Sequence, residues 1–450
     1  MCSYTDSSQL NASYDVVRTI VPAGHLLGDL HEFSITPAGT ALMTIYGEPE
    51  LADLQLFGRA KPGWIMDSLF QEVDVETGEL IFQWKAGDHY QVAETLAPID
   101  SFGYSPDNAF DYFHINSIDK DDHGNFYISS RYMQTVTCIS ATGEVLWKLG
   151  GRHSDFVDIS NGAASNFSWQ HHVRWHPGDR LTIFDNGAFN WLSTAECSRG
   201  LYVQLDTKAM TVELIQSFSK PGILAHSQGS MQLLSETGNI FIGWGHSAAY
   251  TEFASSGTTL CDFHYGASAL FDLGWAKSYR AVKAKWVGKP KTLPDVVLKA
   301  AERALYVSWN GATEVINWRL EGAIRDGGEF VELLTAPKQG FETRIEANNV
   351  YTGSDLNVER ILRVAALDRN GKVLGTSSTL DVGTTAATWH KASYTTADNG
   401  DGLDVFALGV LLFVVVGQVI LVWQIRAIVW VLGRDVNDER SQGLLEHEKV

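Results

Sequence analysis

The chain is poor in cysteine and in basic charge. Its four cysteines, Cys2, Cys138, Cys197 and Cys261, include no CxxC pair and no spacing that suits a zinc site, so no metal ligand set is read from them; one or two disulfides and buried free thiols both fit them. Lys and Arg number 34 against 53 Asp and Glu, a formal charge of −19. That argues against a nucleic-acid partner, because phosphate binding needs a basic face. Met1 to Leu10 has neither a basic start nor an apolar stretch, and is therefore no export signal.

The chain does hold enough apolar and aromatic side chains, 45% and 11%, to fill real cores, and its length of 450 residues suggests about two to three domains. The 14 Trp and 15 Tyr favour β-structure, where aromatic rings fit a pleated surface.

One long apolar run occurs, from Val405 to Trp423, with Gln418 as its single polar side chain. A helix of that length spans roughly 28 Å, about the thickness of the hydrocarbon core of a bilayer. Asp398, Asp401 and Asp404 precede it, and Arg426 and Arg434 follow it. By the positive-inside rule this predicts a transmembrane helix at 404–432, with Trp423 and Trp430 at the interface, a polar linker at 386–403 and a cytoplasmic tail at 433–450. The expected topology is single-pass type I, with residues 1–403 luminal or extracellular and the membrane as a partner. Sequons at Asn11 and Asn166 fit a secretory route. A luminal domain without an export signal leaves two readings: a natural chain that begins upstream of Met1, which is favoured, or a membrane helix that itself directs insertion.

From Gly24 to Gly288, Gly-containing turns stand before alternating strands, as at Gly39, Gly124, Gly178 and Gly238. A second kind, at Gly78 and Gly143, leads into strands with Trp, Leu-Ile-Phe-Gln-Trp84 and Val-Leu-Trp147. Such repetition predicts an all-β chain whose residues 1–288 form a β-propeller with large insertions, six-bladed in the complete protein. The stretch between Gly39 and Gly124 is long enough for two units. Past Pro290 the pattern becomes short strands, which predict a fibronectin-like or immunoglobulin-like β-sandwich at 289–385.

Aligned on their turns, the repeats carry polar clusters with histidine: Gly28-Asp-Leu-His31, His114-Ile-Asn116, Gln170-His171-His172 and His226-Ser227. The first strands of propeller blades line the central channel, so His31, His114 and His171 are expected to converge. Asn116 is expected on the face of His114, Arg131 at the same mouth, and His172 on the opposite side. His, Asn and Arg without a carboxylate nearby make a poor site for a hard metal and a good one for an oxyanion. An imidazole there can act as a nucleophile or a base.

The series His114-Ile-Asn116-Ser-Ile, Ser-Ser-Arg131, Gln170-His171 and Phe184-Asp-Asn-Gly187 resembles the arylsulfotransferase family, and in particular its fungal, membrane-anchored branch. Ser227-Gln-Gly-Ser230, Gly243-Trp-Gly245 and Ser308-Trp-Asn-Gly-Ala312 also resemble that branch. The resemblance implies a transferase that moves a sulfuryl group from a phenolic sulfate ester to a phenol, with neither a nucleotide donor nor a cofactor. By motif position, His171 resembles the histidine that is transiently sulfated, and His31, His114, Asn116 and Arg131 resemble the sulfate-binding set. Small phenols are the expected partners. Trp169 could wall the phenol pocket or pack within a blade. The alternatives are a catalytically silent, membrane-tethered propeller that binds ligands or proteins, and a hydrolase with water as acceptor.

Overall fold

The computed structural model describes residues 7–59, 62–190, 192–299, 302–346 and 361–382. The chain divides into two compact units, residues 1–291 and 292–450.

The first unit holds four antiparallel sheets whose strands follow one another in chain order. The first runs Gly28–Ile35, Thr40–Tyr46, Ser68–Asp74, Leu80–Lys85, and the second Ile115–Lys120, Phe126–Ser130, Thr135–Ile139, Val145–Gly150. The third runs His171–His176, Arg180–Asp185, Arg199–Asp206, Thr211–Ser219, with Val157–Asp158 added in parallel at its far edge. The fourth runs Ser230–Leu233, Ile240–Gly243, Ala249–Phe253, Thr259–His264. Gly39, Gly124, Gly178 and Gly238 join first to second strands, and Gly78 and Gly143 join third to fourth. All six sit at φ between 71° and 98°, where a side chain would be strained.

Strand alternation lets each sheet bury both faces. Phe126 and Ile128 of the second sheet join a core with Leu42, Phe70 and Trp84 of the first. Tyr127, between them in sequence, joins a core with Leu181, Ile183 and Leu201 of the third. Phe184 of the third joins Met231, Ile240 and Trp244 of the fourth. The first strands are stitched together in turn. Glu32 Oε2 accepts from Ile118 N (3.2 Å), Ser117 Oγ from Val173 N (2.9 Å), and His172 Nδ1 from Met231 N (3.3 Å). Glu32, Ser117 and His172 are therefore equivalent positions, and so are His31, Asn116 and His171. His114 lies two residues earlier in its own sheet.

Sheets of this make are the units of propellers, and the described residues hold four of them; six blades were expected of the complete protein, with room for an incomplete set in this sequence. The long interval before Gly124 is not a double unit. It holds the rest of the first sheet and a small sheet of Glu50–Ala52, Gly63–Met66 and Phe110–Asp111.

The second unit has one sheet of Asp295–Lys299, Ala304–Ser308 and Glu342–Glu346. Its other sheet runs Val331–Pro337, Asn317–Ala323, Ile361–Leu367, Val373–Thr376, with Leu380–Asp381 also pairing Ile361–Leu367. Leu305, Val307 and Ile345 of one sheet meet Trp318, Leu320, Leu362 and Val364 of the other in one core, as sandwich-like packing requires.

The expected membrane span has no counterpart among the described residues. A span needs about 20 apolar residues in one helix. Among the described residues no helix is long and apolar enough to cross a membrane, and the longest 3-10 turn is Ser268–Leu273. The expected helix at 404–432, its linker and its tail lie outside the described residues. The described residues therefore give no support to a transmembrane helix, to the membrane as a partner or to a single-pass type I topology. Cys138, Cys197 and Cys261 are free thiols.

Candidate active site

Three of the first strands break register at the same end. The pairing shifts between Gly28 and Phe33, between Ile115 and Ser117, and between His171 and Arg174. Bulges of this kind re-aim side chains, and they concentrate beside active sites. His114 and His172 also hold left-handed backbones, φ 62° and 53°, which non-glycine residues rarely adopt.

His171 is 3% exposed. Its Nδ1 lies 2.7 Å from Asn186 Oδ1. The Asn186 amide nitrogen donates to the carbonyls of Ala225 (2.8 Å) and Gln228 (2.9 Å), so the Asn186 oxygen faces the ring and can only accept. His171 therefore carries its proton on Nδ1 and its lone pair on Nε2. The one group at that lone pair is the Gln228 backbone N–H, at 3.3 Å. Burial, reinforced by the charges of Arg131, His114 and His31, holds the His171 imidazole well below the usual histidine range, so the ring is neutral.

His31 and His114 meet edge to face, 4.6 Å between ring centroids. Sequence reasoning missed that each is backed by a carboxylate. His31 Nδ1 is 2.5 Å from Asp29 Oδ2, which also accepts from the His31 N–H (3.1 Å) and the Thr44 hydroxyl (3.1 Å). His114 Nδ1 pairs with Asp111 Oδ2, which accepts from the Tyr46 hydroxyl at 2.9 Å. The two carboxyls differ. Burial pushes Asp29 up, but hydrogen bonds and charge from His31 outweigh it and hold Asp29 below its ordinary value. Burial raises Asp111 to about 7 against the Tyr46 hydrogen bond. Burial, with the charges of His31 and Arg131, pushes His114 well below the usual range. Burial thus favours the neutral form of the Asp111–His114 pair, in which the proton sits on the carboxyl.

Arg131 follows the second strand of its sheet, and its N–H donates to the His114 carbonyl (2.9 Å). Its guanidinium is 6% exposed, lies 4.9 Å over the Phe189 ring, and donates to the His226 carbonyl (2.7 Å). It makes no ion pair among the described residues, and its buried Nε has no partner. A cation this buried and unpaired is costly unless an anion joins it. Asn116 occupies in its sheet the place of His31 and His171. Its Nδ2 donates to the Gln170 carbonyl (2.7 Å), while its buried Oδ1 has no partner. His172 Nδ1 accepts from the Met231 N–H (3.3 Å).

Two further residues come from the segment after the fourth sheet. Tyr279 stands between the imidazoles, 5.6 Å from His31 and 6.3 Å from His171 by ring centroids, and its buried hydroxyl has no partner. Arg280 fixes that segment through Glu32 (2.5 Å) and the carbonyls of His31 and Asn116 (2.7 Å each). Asn186 was legible by the alignment that gave Arg131, since Ile128-Ser-Ser-Arg131 matches Ile183-Phe-Asp-Asn186. Tyr279 and Arg280 lie outside every repeat.

A cavity of about 260 Å³ opens beside His31, His114, Asp29 and Asp111. Its other walls include Tyr46, Phe102, Phe110, Tyr132 and Phe189, enough aromatic surface to hold a flat apolar ring. Trp169 is not in this wall but stacks behind Phe189 at 4.7 Å. Among the described residues no cluster of His, Cys, Asp or Glu could hold a metal ion.

Residues 7–266, more than half of the chain, match the model of the family described as arylsulfotransferase (ASST). The chain belongs to the arylsulfotransferase family. The match carries the family and not a branch of it, so the fungal, membrane-anchored assignment is not retained; nor does it establish phenols as partners. No curated protein matches the chain. Among solved structures, it is similar to a putative 6-phosphogluconolactonase from Bacteroides uniformis, at 9% identity over 84% of this chain and 94% of that one, with a TM-score of 0.34. It is also similar to the Pseudomonas aeruginosa periplasmic gluconolactonase, at 13% identity over 84% and 95%, TM-score 0.31. A third is the virginiamycin B lyase from Staphylococcus aureus, at 8% identity over 82% and 86%, TM-score 0.29. At such scores these likenesses carry no weight for the chemistry.

Proposed function

We propose that this arylsulfotransferase-family protein transfers a sulfuryl group from a phenolic sulfate ester to a phenol through a sulfated His171. The observation that supports this most is the pairing of a neutral, oriented imidazole with a buried guanidinium that has no salt-bridge partner among the described residues. The His171 Nε2 lone pair attacks sulfur, and the bond from sulfur to the aryl oxygen breaks. Arg131 balances charge on the remaining sulfuryl oxygens, and the imidazoles of His31 and His114 add hydrogen-bond donors, as donors do in phosphoryl transfer. The oxygen of the acceptor phenol then attacks sulfur, and the S–Nε2 bond breaks. The aromatic cavity receives the ring in both halves.

The test is turnover of 4-nitrophenyl sulfate by the full chain, with and without a second phenol. The expected result is nitrophenol release that the acceptor accelerates, with a sulfuryl adduct on His171 found by mass spectrometry. Release by His171→Ala at the parent rate overturns the reading, and so does a rate indifferent to acceptor, which would mark a hydrolase. No release at all would leave a binding module.

A further inference from the structure

We propose that Asp111 is the proton reservoir of the transfer, delivering its proton through His114 and held in place by Tyr46. The inference rests on the sulfuryl-transfer reading and adds a role that the anion site alone does not require. A phenolate is a poor leaving group unless it gains a proton, and an acceptor phenol is a poor nucleophile until it loses one. The aromatic cavity where both would sit is walled by His114, Asp111 and Tyr46 together. His114 reaches Asp111 through Nδ1, which turns its Nε2 away from the carboxyl. Tyr46 donates to the same Asp111 oxygen from the end of a strand in the neighbouring sheet and lies 3.0 Å from His114 Nδ1. The second carboxyl oxygen, Asp111 Oδ1, is buried without any partner, an unusual state for a carboxylate and an acceptable one for a carboxylic acid.

In the first half-reaction, the S–O(aryl) bond breaks as Nε2 of His171 bonds sulfur. The leaving oxygen takes the proton of His114 Nε2, and the Asp111 proton passes to His114 Nδ1. Asp111 is left as a carboxylate facing the Tyr46 hydroxyl. In the second half-reaction the acceptor phenol gives its proton to His114 Nε2 as its oxygen bonds sulfur, the S–N bond breaks, and Asp111 recovers its proton. No proton is gained or lost over the cycle. The groups that set the balance at Asp111 are His114 on its own segment, Tyr46, Asp29 and His31 from the first sheet, and Arg131 and Tyr132 from the following turn. Burial favours the protonated form, which the Tyr46 hydrogen bond and the charges of His31 and Arg131 oppose.

Leaving-group dependence in the full chain tests this. 4-Nitrophenolate leaves readily without a proton and phenolate does not. Asp111→Asn should slow transfer from phenyl sulfate by ~10²-fold or more, the usual worth of a positioned acid. The same variant should change the rate with 4-nitrophenyl sulfate far less. Tyr46→Phe, which keeps the ring in place, should show the same selectivity to a smaller degree and covers the case in which Asp111→Asn does not fold. Equal losses on both esters, in either variant, overturn the proposal and leave Asp111 a structural group. If the parent chain transfers from neither ester, the inference falls together with the sulfuryl-transfer reading. A parent that transfers while both variants slow both esters alike removes this inference and keeps that reading.

Discussion

Asn186 accepts from His171 at 2.7 Å with an amide whose nitrogen is already committed to two backbone carbonyls. The amide cannot flip without setting its oxygen against those two carbonyl oxygens, so the ring is held in one tautomer. Replacing Asn186 by Ala removes that constraint without touching substrate. Turnover should fall by roughly tenfold, equivalent to one lost hydrogen bond to a buried group. Long-range nitrogen–proton NMR of the His171 ring should show mixed tautomers. An unchanged tautomer in the variant would contradict the assignment.

Arg131 gives a prediction in which stability and binding move apart. Arg131→Met removes a buried unpaired cation while keeping much of the stacking on Phe189. In buffer free of sulfate the melting temperature should hold or rise, since lone buried charges are destabilising. The parent should gain about 2.7 kcal/mol at a sulfate concentration 100 times its Kd. The variant should gain nothing. Equal sulfate-induced shifts in the two proteins would remove Arg131 from the anion site.

Stability should fall in mild acid. Burial holds His114, His171 and His172 well below the usual range, so around pH 5 the unfolded chain binds protons at these positions that the native state refuses. Stability from these groups is present above the unfolded histidine value of about 6.5 and is lost as pH drops below it. Asp111 acts oppositely. Its folded value is raised to about 7, so its contribution is lost as pH rises from the ordinary carboxyl range toward neutrality. Among these four groups the three imidazoles outweigh the one carboxyl, and their combined slope is downward with acid. His172→Gln, which leaves the transfer site intact, should flatten urea-midpoint curves below pH 6.5 by about one proton.

The aromatic wall should govern ring binding. Phe189 lines the cavity and is itself stacked on Trp169. Phe189→Ala should raise KM for aryl sulfates by roughly tenfold or more, in line with ~1.5–3 kcal/mol for a buried aromatic side chain. Affinity for inorganic sulfate should change much less. A variant that loses both equally would mean that the ring lies elsewhere.

Much of the first unit was legible because glycine turns and alternating strands are local signals. Gly39, Gly124, Gly178 and Gly238 mark the first hairpin of each sheet as the sequence suggests. Strict alternation fails at the bulges, which no local pattern announces, so the equivalence of His31, Asn116 and His171 emerges only from the stitching between sheets. Asp29 and Asp111 were readable as carboxylates two and three residues ahead of His31 and His114; only their contact was unreadable. Tyr279 belongs to no repeat, and nothing near it in sequence points to the site.

Glu32 is fully buried and receives Arg174 (2.8 Å), Arg280 (2.5 Å) and the Ile118 N–H (3.2 Å). Glu32→Gln should cost about 3–5 kcal/mol in urea unfolding, because it strands two guanidinium groups.

That carboxylate also sets an order of events. Its partner at position 280 arrives 248 residues after it in the chain, one of the longest separations in the first unit. Contacts so distant pay their loop-closure entropy late, which slows folding. A nascent chain that stops short of Ser278 would own every hairpin and all three imidazoles and still lack the latch that brings Tyr279 between them. The contact that seats Tyr279 between the imidazoles is therefore among the last that the first unit can make.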